Sequence, residues 1–390
     1  VNHVVVVGAG LAGVRSVEAL RARGFAGTIT LMGEEAHRPY DRPPLSKSVL
    51  LGETDSTVVD SDLDALEVDF RAGVAAKGLR PGVVETTEGE VAYDGLVIAT
   101  GARPVRLRGD GEQHVLRTID DALALRERLV AGTRVAVIGA GWIGAEVATA
   151  AARANCAVTV VEAADLPLSQ ALGPVGAHTA RWYEQAGVEL RLGVQVASVD
   201  HDGLTLADGS RVRADVVVTG VGVRPAVEWL AGSGVELDNG VVTDEHLRTS
   251  LPGVVAVGDC AAWWSRRYGR RLRVEHWDTA LGAPEVAVAA LMGGDAVYDP
   301  VPYFWSEQFG HMVQYAGHHD DELLVLRGDP ATDPRWGACW VREDGRLAAV
   351  LAVNRPRDLL QGRRLIEGGQ RLDARRLADP AVALRDCTVA

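Results

Sequence analysis

The sequence is poor in sulfur and almost free of lysine. Its four cysteines, Cys156, Cys260, Cys339 and Cys387, are scattered. None forms a C-x-x-C or C-x-x-x-x-C pair, so the spacing indicates neither a dithiol centre nor a zinc site, and isolated reduced thiols are expected. Lysine occurs only at Lys47 and Lys77, which leaves the basic residues almost entirely to arginine. No apolar run reaches the roughly 18 residues that cross a bilayer, so no membrane association is expected. The first strand pattern starts almost at residue 1 and leaves no room for a signal peptide. A cytoplasmic protein is the expectation. Basic charge is also in deficit. The net charge of −13 argues against nucleic-acid binding. It also disfavours long-range attraction to an acidic partner unless a local basic patch exists.

At 390 residues, 47% of them apolar, the chain has room for two or three domains with full cores. Residues 4–13 read VVVVGAGLAG. Four β-branched residues in a row predict a strand buried on both faces, inside a parallel sheet. The glycines then follow at the G-x-G-x-x-G spacing. Gly8 permits the tight turn, Gly10 lets backbone approach a pyrophosphate, and Gly13 lets the next helix pack close to the strand. The helix N-terminus offers free N–H groups to the phosphates. A second strand, 28–33, ends before Glu34, which lies 21 residues beyond Gly13, close to the separation expected of a ribose-binding acid. Read alone, this stretch points to a nicotinamide nucleotide.

The pattern returns. Residues 135–144, VAVIGAGWIG, form a second fingerprint with Gly139, Gly141 and Gly144. The strand at 157–161 ends at Glu162, 18 residues past Gly144. Strand-glycine-proline ends also recur. Thr100 and Gly101 follow the strand at 96–99, and Gly222 follows the one at 215–219. The chain is therefore an internal repeat with two nucleotide sites.

Between these marks, residues 38–47 form a proline-broken loop expected to hold no regular strand or helix before Leu45. Weak strands are expected at 68–74 and 83–86, a helix at 120–130, a third strand near 188–192 and a hairpin turn at 208–209. A buried strand at 254–257 is expected to return to the first sheet and to end at the turn carrying Asp259. Five arginines in 265–273 read as a solvated hairpin or, alternatively, as a docking patch. From 302 the composition changes to short strand runs (322–326, 338–341, 347–353) and a helical tail at 359–366. The overall expectation is an α/β protein with two Rossmann-like dinucleotide-binding domains and a small C-terminal α+β domain.

Several stretches narrow this further: RPYDRPPLSK (38–47), IATGARP (98–104), LRTIDDA (116–122), GAGWIGAEVA (139–148), VAVGDCA (255–261) and FWSEQ (304–308). Together they resemble the putidaredoxin reductase-like ferredoxin reductases, two-dinucleotide-fold flavoproteins that serve Rieske dioxygenases and haem monooxygenases. The resemblance runs over nearly the whole chain. It implies a discontinuous FAD domain (1–108 and 227–301), an inserted NAD domain (109–226) and a C-terminal reductase domain (302–390). It implies that FAD, not nicotinamide, occupies the first loop and that NADH takes the second.

On the same resemblance, FAD contacts fall on Ala12, Glu34, Arg42, Lys47, Val74, Arg117, Asp259 and Trp277, with Thr100 and Gly101 beside them. Arg42 suits the pyrophosphate, Asp259 a ribityl hydroxyl, and Trp277 either a flavin edge or plain core packing. Relatives carry Asn and Gln after the Trp277 position. Thr279, Gly282, Ala283 and Pro284 stand there instead. Lys47 and Glu146 form the implied reactive pair, with an ordinary interdomain ion pair as the alternative. Trp142 and Ile143 occupy the variable positions of the second loop before Gly144, where Trp142 could stack over the flavin and swing aside for nicotinamide. Trp305 either closes the other face or belongs to the C-terminal core. Glu162 favours NADH over NADPH. A carboxylate and a 2′-phosphate at about 4 Å repel by roughly 4 kcal/mol per charge pair at an effective dielectric near 20.

The implied reaction passes a hydride from NADH to FAD and then single electrons to a [2Fe–2S] ferredoxin, with a terminal oxygenase served indirectly. The missing C-x-x-x-x-C near 42–47 disfavours dithiol chemistry. An NADH oxidase or NADH–rubredoxin reductase is the rival enzyme. A redox-sensing flavoprotein of the apoptosis-inducing-factor type is the rival of another class. A monomer or weak dimer is expected.

Overall fold

The computed structural model describes residues 1–389. The valine run fills the strand His3–Val7. Val4 and Val6 face one apolar core, and Val5 and Val7 face another. This strand is the centre of a parallel five-stranded sheet, ordered Val254–Ala256, Gly95–Ile98, His3–Val7, Thr28–Gly33 and Val68–Ala72. The late strand does return to the first sheet, pairing Val254 with Leu96. Helices Leu11–Ala22 and Trp277–Leu291 pack together over one face.

The second fingerprint builds a parallel four-stranded sheet of Glu189–Arg191, Ala157–Val161, Arg134–Ile138 and Val216–Thr219. The repeat extends further than the sequence suggested. Each sheet reaches its fourth strand in chain order through a three-stranded antiparallel meander. These are Ala76–Arg80, Val83–Thr86 and Gly89–Ala92 in the first, and Val196–Asp200, Gly203–Leu206 and Arg211–Arg213 in the second. Strands 76–80 and 89–92 escaped the sequence reading because they are short and mostly exposed, with one buried side chain each.

The C-terminal part is a five-stranded antiparallel sheet, ordered Tyr303–Gln308, His311–Gly317, Leu347–Val353, Trp336–Val341 and Leu323–Arg327. Helix Pro356–Gly368 packs on two of its strands. A Cβ at Gly362 would stand 2.7 Å from Val350 Cγ1, so glycine sets that close approach.

One expectation is corrected. The prolines do not keep the chain irregular up to Leu45. Pro43–Ser46 is a 3-10 turn with proline in its first positions. There the fixed φ is already suitable and the missing N–H would have been unpaired.

The chain forms two compact units. One comprises Val1–Asp41, Ser56–Arg103 and Val223–Pro302. The other comprises Arg42–Asp55, Pro104–Gly222 and the chain from Tyr303. Among the described residues no helix is long and apolar enough to cross a membrane.

Candidate functional site

The two glycine loops have the same backbone. Gly8 has φ +113°, and a Cβ on it would lie 2.1 Å from the Ala99 carbonyl oxygen. Gly139 has φ +98°, and its Cβ would lie 2.5 Å from Gly220 O. A Cβ on Gly13 would stand 1.9 Å from Gly8 O, and one on Gly144 2.0 Å from Gly139 O. Only glycine fits these four positions. Gly10 and Gly141 differ from them, because among the described residues their Cβ positions meet nothing within 4 Å.

That open space lies at the head of a helix in each case. Gly10 and Gly141 cap Leu11–Ala22 and Trp142–Arg153 in extended conformation, with no side-chain cap and no acid in the first turn. Free helix N–H groups therefore face room that a phosphate can fill. A dinucleotide pyrophosphate fits both cradles.

The acids are wired differently. Glu34 is exposed and pairs with Arg103 Nη2 at 2.7 Å. Glu162 is tied to backbone. Its Oε2 accepts from Ala140 N at 2.7 Å, inside the glycine loop, and its Oε1 accepts from Ala164 N at 2.8 Å. Each oxygen keeps lone-pair capacity for a ribose hydroxyl.

Around the first loop, the Gly258–Cys260 turn abuts the helix start, since a Cβ on Gly258 would lie 3.1 Å from Ala12 Cβ. This brings Ala12 beside the turn that carries Asp259. Val74 is buried, and its N–H donates to Gly33 O at the end of the strand before Glu34. Thr100 donates to the Ala226 carbonyl at 2.7 Å, and Gly101 follows with φ +66°. Trp277 opens its helix, half-buried against the first core, with Nε1 donating to Asp41 Oδ1 at 3.0 Å.

In the second unit Arg42 Nη1 donates to the Arg117 carbonyl at 2.6 Å. Gly222 has φ +100° and open space at its Cβ position. Ile143 is exposed in the first turn of the Trp142–Arg153 helix. Trp142 packs on Phe304, ring centroids 4.7 Å apart. Trp305 stacks on Tyr303 at 5.9 Å.

Lys47 and Glu146 are together. Lys47 Nζ lies 2.9 Å from Glu146 Oε2 and 3.3 Å from the Pro43 carbonyl. Glu146 is buried one turn into its helix, and the Lys47 side chain is 17% exposed. Sequence reasoning missed two further partners. Ser46 donates to Oε2 of the same carboxylate, and Ser306 donates to its Oε1 at 2.6 Å. Polar residues at alternating positions of FWSEQ were the available signal. The pair lines a cleft of about 530 Å³ with Arg153, Trp182, Glu307 and His311. Among the described residues no cluster of His, Cys, Asp or Glu could hold a metal ion.

The arginine-rich stretch is a hairpin, Ala261–Ser265 against Arg270–Leu272. Three of its five arginines are engaged internally. Arg266 pairs with Glu245, Arg271 donates to the Thr243 carbonyl, and Arg273 donates to the Asp259 carbonyl. All four cysteines are free.

Comparison with known proteins agrees with this geometry. Residues 2–290 match the pyridine nucleotide-disulphide oxidoreductase family model, and residues 303–388 match the reductase C-terminal model. The ferredoxin–NAD(+) reductase component of the anthranilate 1,2-dioxygenase system from Burkholderia cepacia is 38% identical over 98% of both chains. The crystal structure of Fdr9 superposes with a TM-score of 0.95 at 52% identity, covering 98% of this chain and 99% of that one. The reductase of the covalent putidaredoxin reductase–putidaredoxin complex superposes with a TM-score of 0.94 at 33% identity, covering 99% and 98%.

Proposed function

The chain belongs to the pyridine nucleotide-disulphide oxidoreductase family, and on that premise we propose that it is an NADH:ferredoxin oxidoreductase supplying a dioxygenase or a haem monooxygenase. The observation that carries this reading is the doubled phosphate cradle, together with a half-buried lysine on a buried glutamate where dithiol relatives would need cysteines. Position 42–47 reads Arg-Pro-Pro-Leu-Ser-Lys. The full-length likeness to a dioxygenase-system reductase supports the same choice.

Gly8, Gly10, Ala12 and Gly13 would hold FAD, which when bound would supply a hydride acceptor able to hand electrons on singly to a [2Fe–2S] ferredoxin. Glu34 and Asp259 accept hydrogen bonds from its hydroxyls. Arg42, steered by the Arg117 carbonyl, offsets pyrophosphate charge. Gly139, Gly141 and Gly144 would hold NADH, and Glu162 would receive its ribose. Hydride transfer needs alignment more than proton transfer. The protein's contribution is therefore stacking surface, water exclusion and one fixed positive charge. Lys47 carries that charge, and Glu146 anchors it. An ammonium suits the task because it is compact and point-like. The free thiols fit a reducing compartment, and the cytoplasm is the proposed location.

The test is NADH oxidation with a panel of iron–sulfur proteins and with oxygen as acceptors, after a visible spectrum has established the flavin. Faster turnover with a [2Fe–2S] ferredoxin than with oxygen is expected. Reoxidation far faster by oxygen than by any iron–sulfur protein sinks the reading in favour of an NADH oxidase.

A further inference from the structure

Strand Tyr303–Gln308 buries two polar side chains. Ser306 and Gln308, at alternating inward positions, have no solvent exposure. Apolar residues are the usual occupants of such positions, and buried polar groups require partners. Ser306 uses its hydroxyl twice. It accepts from Gln308 Nε2 at 3.0 Å and donates to Glu146 Oε1 at 2.6 Å. Among the described residues the Gln308 amide oxygen has no partner, a penalty that leucine or methionine would not incur.

The donors in this chain all point one way, toward a single carboxylate, and such chains polarise cooperatively. Glu146 is thereby gripped at both oxygens. Ser306 holds Oε1, while Ser46 and Lys47 hold Oε2. Without the Ser306 donor the carboxylate is free to turn about its terminal torsion, which is intrinsically broad. The lysine stem, with four rotatable carbons, then follows its acceptor.

We infer that Ser306 and Gln308 are positioning residues: they fix the Glu146 carboxylate and, through it, the place of the Lys47 ammonium. The chemical purpose of that placement rests on the proposed hydride transfer. The geometry does not.

The chain offers an unusual way to test this. Lys47 and Lys77 are its only lysines, and Lys77 is exposed, so it serves as an internal reference. The holoenzyme is treated with limiting acetic anhydride, and the ratio of acetylation at Lys47 to that at Lys77 is read by peptide mass spectrometry. Ser306→Ala should raise the ratio about tenfold, as expected when a hydrogen bond to a charged group is lost. Gln308→Leu should raise it about threefold, because it removes only a neutral bond one step back. Ser306→Thr, which keeps the hydroxyl, should restore the wild-type ratio. Val350→Ala loosens the same sheet without touching the chain of donors and should leave the ratio unchanged.

A wild-type ratio in Ser306→Ala overturns the inference, as does an equal rise in Val350→Ala. If Ser306→Ala fails to fold, Gln308→Leu decides the matter alone. The measurement is independent of turnover. A shifted ratio in a protein that reduces no ferredoxin removes the proposed function and leaves the positioning role. Normal turnover with an unmoved ratio does the reverse.

Discussion

The two glycine loops are near copies in backbone, yet their acids are anchored in different ways. Glu34 leans on an exposed arginine, an ion pair worth at most about 1 kcal/mol. Glu162 is clamped by two backbone N–H groups, one of them within its own loop. The glycines therefore prescribe the phosphate cradle, while the surroundings of each acid set how firmly the ribose end is presented. In the proposed scheme the firmly held acid serves the nucleotide that must exchange at every turnover. The loosely held one serves the cofactor that stays.

The comparison can be broken most severely at the helix–strand contacts. Gly13→Val and Gly144→Val each force a Cβ to about 2 Å from a carbonyl oxygen. Each should cost more than about 4 kcal/mol and yield no cooperatively folded protein by circular dichroism. A soluble Gly144→Val variant with a wild-type melting temperature would show that the second loop is not built like the first.

The open glycines separate the loops by ligand. Gly10→Ala and Gly141→Ala place a methyl in empty space, so both variants should fold. Gly10→Ala should be purified with little flavin. Gly141→Ala should keep its flavin and raise KM for NADH about tenfold, the scale of one lost anion contact in a partly buried site. The opposite pattern would exchange the two assignments.

Glu162→Ala tests the clamp. It should raise KM for NADH and narrow the preference over NADPH by about 10- to 100-fold in kcat/KM, since the repulsion it removes is at most a few kcal/mol. Unchanged discrimination would mean that the carboxylate serves only Ala140 and Ala164.

The smallest effect lies outside both loops and acts as their control. His319 is stacked on Trp340 and hydrogen-bonded to Tyr315. Burial outweighs the opposing pull of Glu322 and pushes its pKa down to about 4. The unfolded chain then takes up a proton near pH 6.5 while the folded protein remains neutral there. Stability is fully present above pH 6.5 and is lost as the pH falls toward 4. His319→Gln should flatten this dependence by about 2–4 °C in melting temperature between pH 7 and pH 4.5, with flavin content and KM for NADH unchanged. A wild-type pH profile in this variant would remove His319 as the cause.

Legibility in the sequence followed burial. The valines of 4–7 and the glycines of both fingerprints showed themselves because a doubly buried strand and a loop free of Cβ atoms each tolerate few residue types. Strands 303–308 and 311–317 did not. They mix aromatic, polar and charged residues, and Ser306 and Gln308 stand where alternation predicts apolar side chains. The same exception concealed the partners of Glu146. Lys47 and Glu146 were found only through a family resemblance, because no spacing rule joins residues 99 positions apart. The arginine-rich stretch was legible as a hairpin, but the partners of its arginines were not. Arg266 is engaged by Glu245, and Arg271 and Arg273 by backbone carbonyls, and the nearness of these partners depends on the fold.

The order of strands in the first sheet bears on how the protein is made. The neighbour of Gly95–Ile98 is Val254–Ala256, and the helix covering one face, Trp277–Leu291, comes later still. The sheet begun second has all its strands by Thr219. At about 5–20 residues per second of translation, strand 95–98 waits roughly 8–30 s on the ribosome with an unpaired edge. The nucleotide unit that emerges first is therefore completed last. Chaperone capture should favour nascent chains arrested between residues 100 and 250 over those arrested beyond 291.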